Sequence, residues 1–197
     1  QWLTITTYYT DKGRVLQTIA DNISGGKDVV SNIYDFSGKL LRTLQRHTNI
    51  RSGLTPETRV MTQLLYDAAG RVTDVIKKLN DSTQQTIVKN VYDELGQLKT
   101  TRLHVNGSNQ LETINYEYNI RGWLKSINKD FVKSPNSTAN WFGQDLSYDY
   151  GFRDNQANGN IAGIKWKSRG DGLGRAYGYA YDNPNRLIVA DFTQNNT

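Results

Sequence analysis

The chain is predicted to be all-β, a tandem array of antiparallel β-hairpins joined edge to edge, and three observations carry that prediction. A tyrosine-led turn motif recurs along the sequence. The segments between turns are short, mostly alternating, and rich in β-branched and aromatic residues. No segment reads as a helix.

The motif is a tyrosine followed four residues later by glycine and six later by an aliphatic residue. Tyr9 to Val15 carries it with Gly13. Tyr34 to Leu40, Tyr66 to Val72, Tyr92 to Leu98 and Tyr118 to Leu124 repeat it with Gly38, Gly70, Gly96 and Gly122. Tyr181 to Leu187 is a worn copy with Asn185 in the glycine position, and the long interval before it is halved by an irregular element at Tyr148-Asp149, placed over 148–166. Given 12 Tyr and 17 Gly in 197 residues, a Tyr–Gly pair at this spacing is expected about once by chance, whereas five are present. Successive tyrosines lie about 25 to 33 residues apart, which suits one two-stranded unit with its connections.

Turn chemistry explains the spacing. Asp35, Asp67, Asp93 and Asp182 stand first in a type I turn, where a carboxylate accepts hydrogen bonds from the backbone N–H groups ahead of it. Thr10 and Asn119 can serve in the same way. Glycine at the fourth position takes φ > 0 without a Cβ clash, and Asn185 is the next most tolerant choice. Pro184 falls at the third position, where proline is disfavoured, so the last copy is expected to use a different turn. The aliphatic residue, Val15, Leu40, Val72, Leu98, Leu124 or Leu187, opens the outgoing strand and faces its apolar side.

Strands are expected over segments such as Gly38–Leu44, Thr86–Tyr92 and Leu111–Tyr118. Loops are expected at Asn22–Lys27, Arg51–Glu57, Asn106–Asn109 and Lys133–Asn140, where Gly, Asn, Ser and Pro cluster. Pro56 and Pro135 mark points where ladder pairing stops. Asn-x-Ser/Thr triplets at Asn22, Asn80, Asn106, Asn136 and Asn195 indicate surface loops and little more. The whole of 1–197 reads as one continuous repeat segment, expected to be part of a larger protein.

Composition sets the outer bounds. With 37% hydrophobic residues the chain is too poor in apolar side chains for a thick core, yet 11% aromatic and 22% charged residues argue against disorder. The absence of cysteine removes disulfides, thiolate zinc sites and thiol catalysis. No apolar run reaches the roughly 18 residues a membrane-spanning helix needs, and lysines recurring within the strands disfavour an outer-membrane barrel. The net charge of +5, from 24 Lys+Arg against 19 Asp+Glu, is scattered and indicates no nucleic-acid partner.

On these residues the sequence resembles the bacterial Rhs family, the tyrosine–aspartate (YD) repeat proteins, from Tyr9 to Asp191. The stretches Asn158–Trp166, Arg175–Asp182 and Arg186–Asp191 are similar to the segment leading into that family's core region. The resemblance implies a curved, spiralling sheet that forms part of a hollow shell, in an exported protein that is secreted or held at the cell surface. It also implies an enclosed toxin domain or secretion machinery, together with flanking repeats, as partners. The family's self-cleaving core carries an Asp-Pro-x-Gly-type motif. The nearest string here, Gly170-Asp171-Gly172-Leu173-Gly174, lacks the proline and reads as a turn.

Reactive sites are expected to be absent. The repeated aspartates lie in separate hairpins, whereas acid–base work needs groups converging within hydrogen-bond reach. His47 and His104 lack metal-ligand or triad spacing. Gly25-Gly26-Lys27 lacks the rest of a phosphate loop. No catalytic, metal or cofactor residue is assigned, and the chain is expected not to be an enzyme. Trp141, Trp166 and Tyr148 form a possible ligand platform, since sugars stack on exposed rings, although packing of a thin sheet explains such rings more simply. The leading expectation is a structural segment of a β-shell that encloses or displays a C-terminal effector. An extracellular carbohydrate-binding adhesin is the alternative.

Overall fold

A computed structural model describes residues 2–194; the triplet at Asn195 lies outside them. Among the described residues the chain forms seven two-stranded hairpins in succession. They are β1(Ile5–Tyr9) with β2(Val15–Asp21), β3(Lys27–Tyr34) with β4(Leu40–Thr48), β5(Glu57–Tyr66) with β6(Val72–Leu79), and β7(Gln85–Tyr92) with β8(Leu98–Val105). Then follow β9(Glu112–Tyr118) with β10(Leu124–Ile127), β11(Phe142–Ser147) with β12(Gly163–Ser168), and β13(Gly174–Tyr181) with β14(Leu187–Gln194). Strand order in the open sheet follows chain order, every neighbour antiparallel, so the fold class is that of tandem hairpins. The expected loops between hairpins fall outside the strands except for their last residues Lys27 and Glu57, which open β3 and β5, while Lys133 ends a helix.

Two features depart from the sequence reading. A single-turn helix, α1(Lys129–Lys133), interrupts the β10–β11 connection, although no helix is legible there. Five residues are too few to carry a periodic apolar stripe; the turn is held instead by Asn128, whose side chain accepts from the Asn115 N–H at 2.9 Å and donates to the Phe142 carbonyl at 2.8 Å. The last hairpin also keeps the ordinary turn. Asp182 N–H donates to the Arg186 carbonyl at 3.0 Å and Asn185 N–H to the Asp182 carbonyl at 2.9 Å, the frame found at Thr10, Asp35, Asp67, Asp93 and Asn119. Pro184 is tolerated because neither of those bonds uses the N–H of the third position.

The chain packs as two compact units, Gln1–Asn90 with Leu103–Gln110, and Val91–Arg102 with Leu111–Thr197. In the first unit no apolar side chain among the described residues is fully buried, and its deepest side chain is polar. Asn22 accepts from the N–H groups of Ser24 and Gly26, both at 3.1 Å, and donates to the Thr48 carbonyl at 2.9 Å, tying the β2–β3 loop to β4.

The second unit has a small core of Phe131, Leu146, Tyr148, Ala162 and Ala176. One face of its β11–β13 region carries Gly143, Gly163 and Gly178, and two aromatic rings lie against those glycines. A Cβ on Gly163 would stand 2.5 Å from the Phe152 ring, and one on Gly143 would meet Val132 and Phe131 at 2.8 and 3.1 Å. Buried Lys167 caps the end of α1. Its ammonium donates to the Ser134 and Pro135 carbonyls at 2.5 and 3.0 Å and lies 4.3 Å from the Phe131 ring centroid; burial lowers its pKa.

Candidate functional site

Each turn is built as its residues dictate. The Asp35 carboxylate accepts from Ser37 Oγ at 2.8 Å and from the N–H groups of Gly38 and Lys39 at 2.7 and 2.8 Å; the Ser37 bond leads in holding its pKa below the ordinary carboxylate value. Asp67 accepts from Arg71 N–H at 2.9 Å and from Arg71 Nε at 2.7 Å, and the Arg71 backbone bond leads in lowering its pKa. Asp93 caps Gln97, Asn119 caps Arg121 and Trp123, and Asp182 caps Arg186. The turn glycines 13, 38, 70, 96 and 122, with Asn185, all have positive φ.

What the motif did not reveal is how one hairpin holds the next. The outgoing strand carries a β-bulge immediately after the aliphatic residue. Tyr9 pairs with Val15 and Tyr8 with Gln17, leaving Leu16 over, and Leu41, Thr73, Lys125 and Ile188 are left over in the same way. The disrupted ladder leaves the aliphatic residue's carbonyl available to the following hairpin, whose motif tyrosine donates to it. Tyr34 reaches Val15 at 3.0 Å, Tyr66 reaches Leu40 at 2.7 Å, and Tyr118 reaches Leu98 at 3.1 Å.

A second contact runs alongside. At Arg14, Lys39 and Gln97 the residue after the turn glycine meets the glycine of the next turn, and Arg14 and Lys39 also cover the next tyrosine ring. Arg14 lies against Gly38 and 5.9 Å from the Tyr34 centroid; Lys39 lies against Gly70 and 5.7 Å from the Tyr66 centroid; Gln97 Nε2 donates to the Gly122 carbonyl at 3.4 Å. The glycine therefore has two reasons to lack a Cβ.

The same contacts decode the irregular element. Tyr148 donates to the Leu124 carbonyl at 2.8 Å, and burial pushes its phenol pKa up. Trp123, the residue after Gly122, lies against Gly159, where a Cβ would meet the ring at 2.9 Å. Tyr181 donates to the Ile161 carbonyl at 3.0 Å, and Asn160 donates to Asn185 Oδ1 at 3.1 Å. Tyr148, Gly159, Asn160 and Ile161 thus occupy the motif positions of a sixth hairpin, whose turn carries the seven extra residues Tyr150–Gln156. Without them the sequence would read Tyr-Asp-Ala-Asn-Gly-Asn-Ile. The insertion supplies Phe152, the ring laid on Gly163 and Gly178.

The three proposed platform residues do not converge. Tyr148 is buried in the contact just described. Trp166 shares a face with Tyr177, stacked at 5.6 Å between centroids and 16° between planes, and Phe192 packs at 5.2 Å from Tyr177. Trp141, 53% exposed, adjoins Phe142 on the alternate face and is covered by the Arg169 guanidinium at 4.5 Å. Gly170–Gly174 opens the last hairpin as a turn, with Gly172 at φ 67°. No helix among the described residues is long and apolar enough to cross a membrane.

No family model and no curated protein matches the chain. Solved structures do. The TcdB2–TccC3 complex with Cdc42 aligns at 12% identity and TM-score 0.36, and TcdB2–TccC3 without its hypervariable C-terminal region at 12% and 0.38. In each case 98% of this chain is covered, and it spans 14% of the matched chain.

Proposed function

We propose that the chain is a non-enzymatic structural segment of an exported Rhs-like repeat protein, a stretch of β-wall that encloses or displays a C-terminal effector. The observation that supports this reading is the directional interlock. The motif tyrosines Tyr34, Tyr66, Tyr118, Tyr148 and Tyr181 each donate to a carbonyl of the hairpin before, and Arg14, Lys39, Gln97 and Trp123 each reach forward to the glycine of the next turn. Such units are stabilised by their neighbours and extend without a closed core, as a wall requires. A cryo-EM map of the full-length protein tests the proposal. The expected map has residues 2–194 as wall beside an enclosed polypeptide; a map with both sheet faces open to solvent and nothing enclosed overturns it.

A further inference from the structure

The space between two successive motif turns is a groove in the first pair of hairpins and a differently built cavity in the fifth and sixth. The groove lies among Thr10, Leu16, Tyr34, Asp35 and Phe36. There the Asp35 carboxylate caps its own turn, the Lys12 ammonium sits 4.9 Å from the Phe36 ring centroid, and the bulge residue Leu16 is apolar. In the fifth and sixth hairpins the same motif positions hold Asn119, Lys125, Tyr148, Asp149 and Tyr150, and these line a cavity of about 230 Å³ with Gln156 and Ala157 also in its wall. Gln156 N–H donates to the Tyr148 carbonyl at 2.6 Å, which folds the end of the insertion back onto the motif tyrosine.

Three charged side chains of that wall have no ion-pair partner among the described residues. Lys125 stands where the first hairpin has Leu16; its ammonium lies 5.4 Å from the Tyr150 ring centroid and donates to no acceptor there. Arg121 covers the Trp123 ring at 5.0 Å and gives one N–H to the Ala157 carbonyl at 2.6 Å, which leaves most of its donors unused. Asp149 follows Tyr148 as Asp35 follows Tyr34, but the insertion carries the turn N–H groups away from it, and its carboxylate accepts no hydrogen bond among the described residues. Cations already laid on the Trp123 and Tyr150 rings disfavour a cationic guest at those faces. Two cations against one carboxylate favour a guest with an anionic group, and the uncapped carboxylate is matched by a donor on the same guest. A volume of about 230 Å³ is below the roughly 300–1,000 Å³ that takes drug-sized molecules, so the guest is small.

We propose that this cavity binds a free α-amino acid with an apolar side chain. Lys125 and Arg121 hold its carboxylate, Asp149 holds its ammonium, and its side chain lies against Tyr148 and Ile120. The free amino acid carries both charges on one carbon. A polypeptide C-terminus lacks the ammonium, an N-terminus lacks the carboxylate, and a plain anion brings a like charge to Asp149. The site rests on the insertion and on the Lys125 bulge position and not on the wall reading, so failure to bind leaves that reading where it stands.

Isothermal titration calorimetry of the chain with L-leucine tests the proposal, with N-acetyl-L-leucine and L-leucinamide as the compounds that lack the ammonium and the carboxylate. L-Leucine is expected to bind, and each derivative to bind about tenfold more weakly, the loss of one charge-assisted hydrogen bond. Asp149→Asn should weaken L-leucine about tenfold and leave N-acetyl-L-leucine unchanged, because that derivative has no ammonium to lose. Lys125→Met should likewise weaken L-leucine about tenfold and leave L-leucinamide unchanged. Circular dichroism like that of the unmodified chain shows that the variants fold. L-Leucine that does not bind, derivatives that bind as well as their parent, or variants that bind L-leucine like the unmodified chain overturn the proposal.

Discussion

The two compact units follow one motif and are stabilised differently. Among its described residues the first unit has no fully buried apolar side chain, and turn caps, the Asn22 tie and the tyrosine interlock hold it. The second unit carries the same interlock together with two added segments, α1 and the Tyr150–Gln156 insertion, and these place Phe131 and Phe152 over a glycine-lined face. The difference teaches that the repeat by itself makes a sheet, while a core comes from material inserted between or within repeats.

The largest test of that contrast removes one apolar side chain from each unit. Phe131→Ala, at 2% exposure, should cost about 3–5 kcal/mol, whereas Leu64→Ala, on half-buried β5, should cost about 1–2 kcal/mol. Denaturant unfolding measures both, and equal costs would erase the distinction between the units. Gly163→Ala should cost about 2 kcal/mol by forcing out the Phe152 ring. Most of that cost should vanish when Phe152→Ala is already present, a double-mutant cycle that separates the wedge from backbone effects.

Within the first unit, Tyr34→Phe and Tyr66→Phe should each cost about 1 kcal/mol, the loss of the hydrogen bond to the Val15 or the Leu40 carbonyl, and denaturant unfolding measures both. The smallest effect is that of pH. The pKa values of Asp35 and Asp67 are lowered from 3.8 in the folded chain, so their contribution is present above that value and is lost as pH falls through the folded pKa. An acid titration of stability should be flattened by Asp67→Asn; an unchanged acid limb would remove the turn carboxylates from the account.

Hairpin architecture and turn positions were legible because each turn is specified within seven contiguous residues. The interlock was not, because its partners lie about one repeat apart and one of them is a backbone carbonyl, which leaves no residue signature. The basic residues after the turn glycine, Arg14, Lys39 and Arg71, were visible as scattered charge; the contacts of Arg14 and Lys39 give part of that charge a place. The sixth hairpin was hidden by its insertion, which lengthens the Tyr–Gly spacing from four residues to eleven. Trp141 and Trp166 looked like partners by residue type, but strand alternation sends them to different faces.

The central claim is that tyrosine, glycine and the bulge carbonyl define a repeat whatever lies between them. Deleting Tyr150–Gln156 tests it most directly, with the structure of the shortened chain as the readout. The expected structure has an ordinary hairpin at Tyr148–Ile161, with Tyr148 still on the Leu124 carbonyl and Tyr181 still on the Ile161 carbonyl, at some loss of stability from the missing Phe152. Loss of the β11–β12 pairing, or release of either tyrosine, would contradict it.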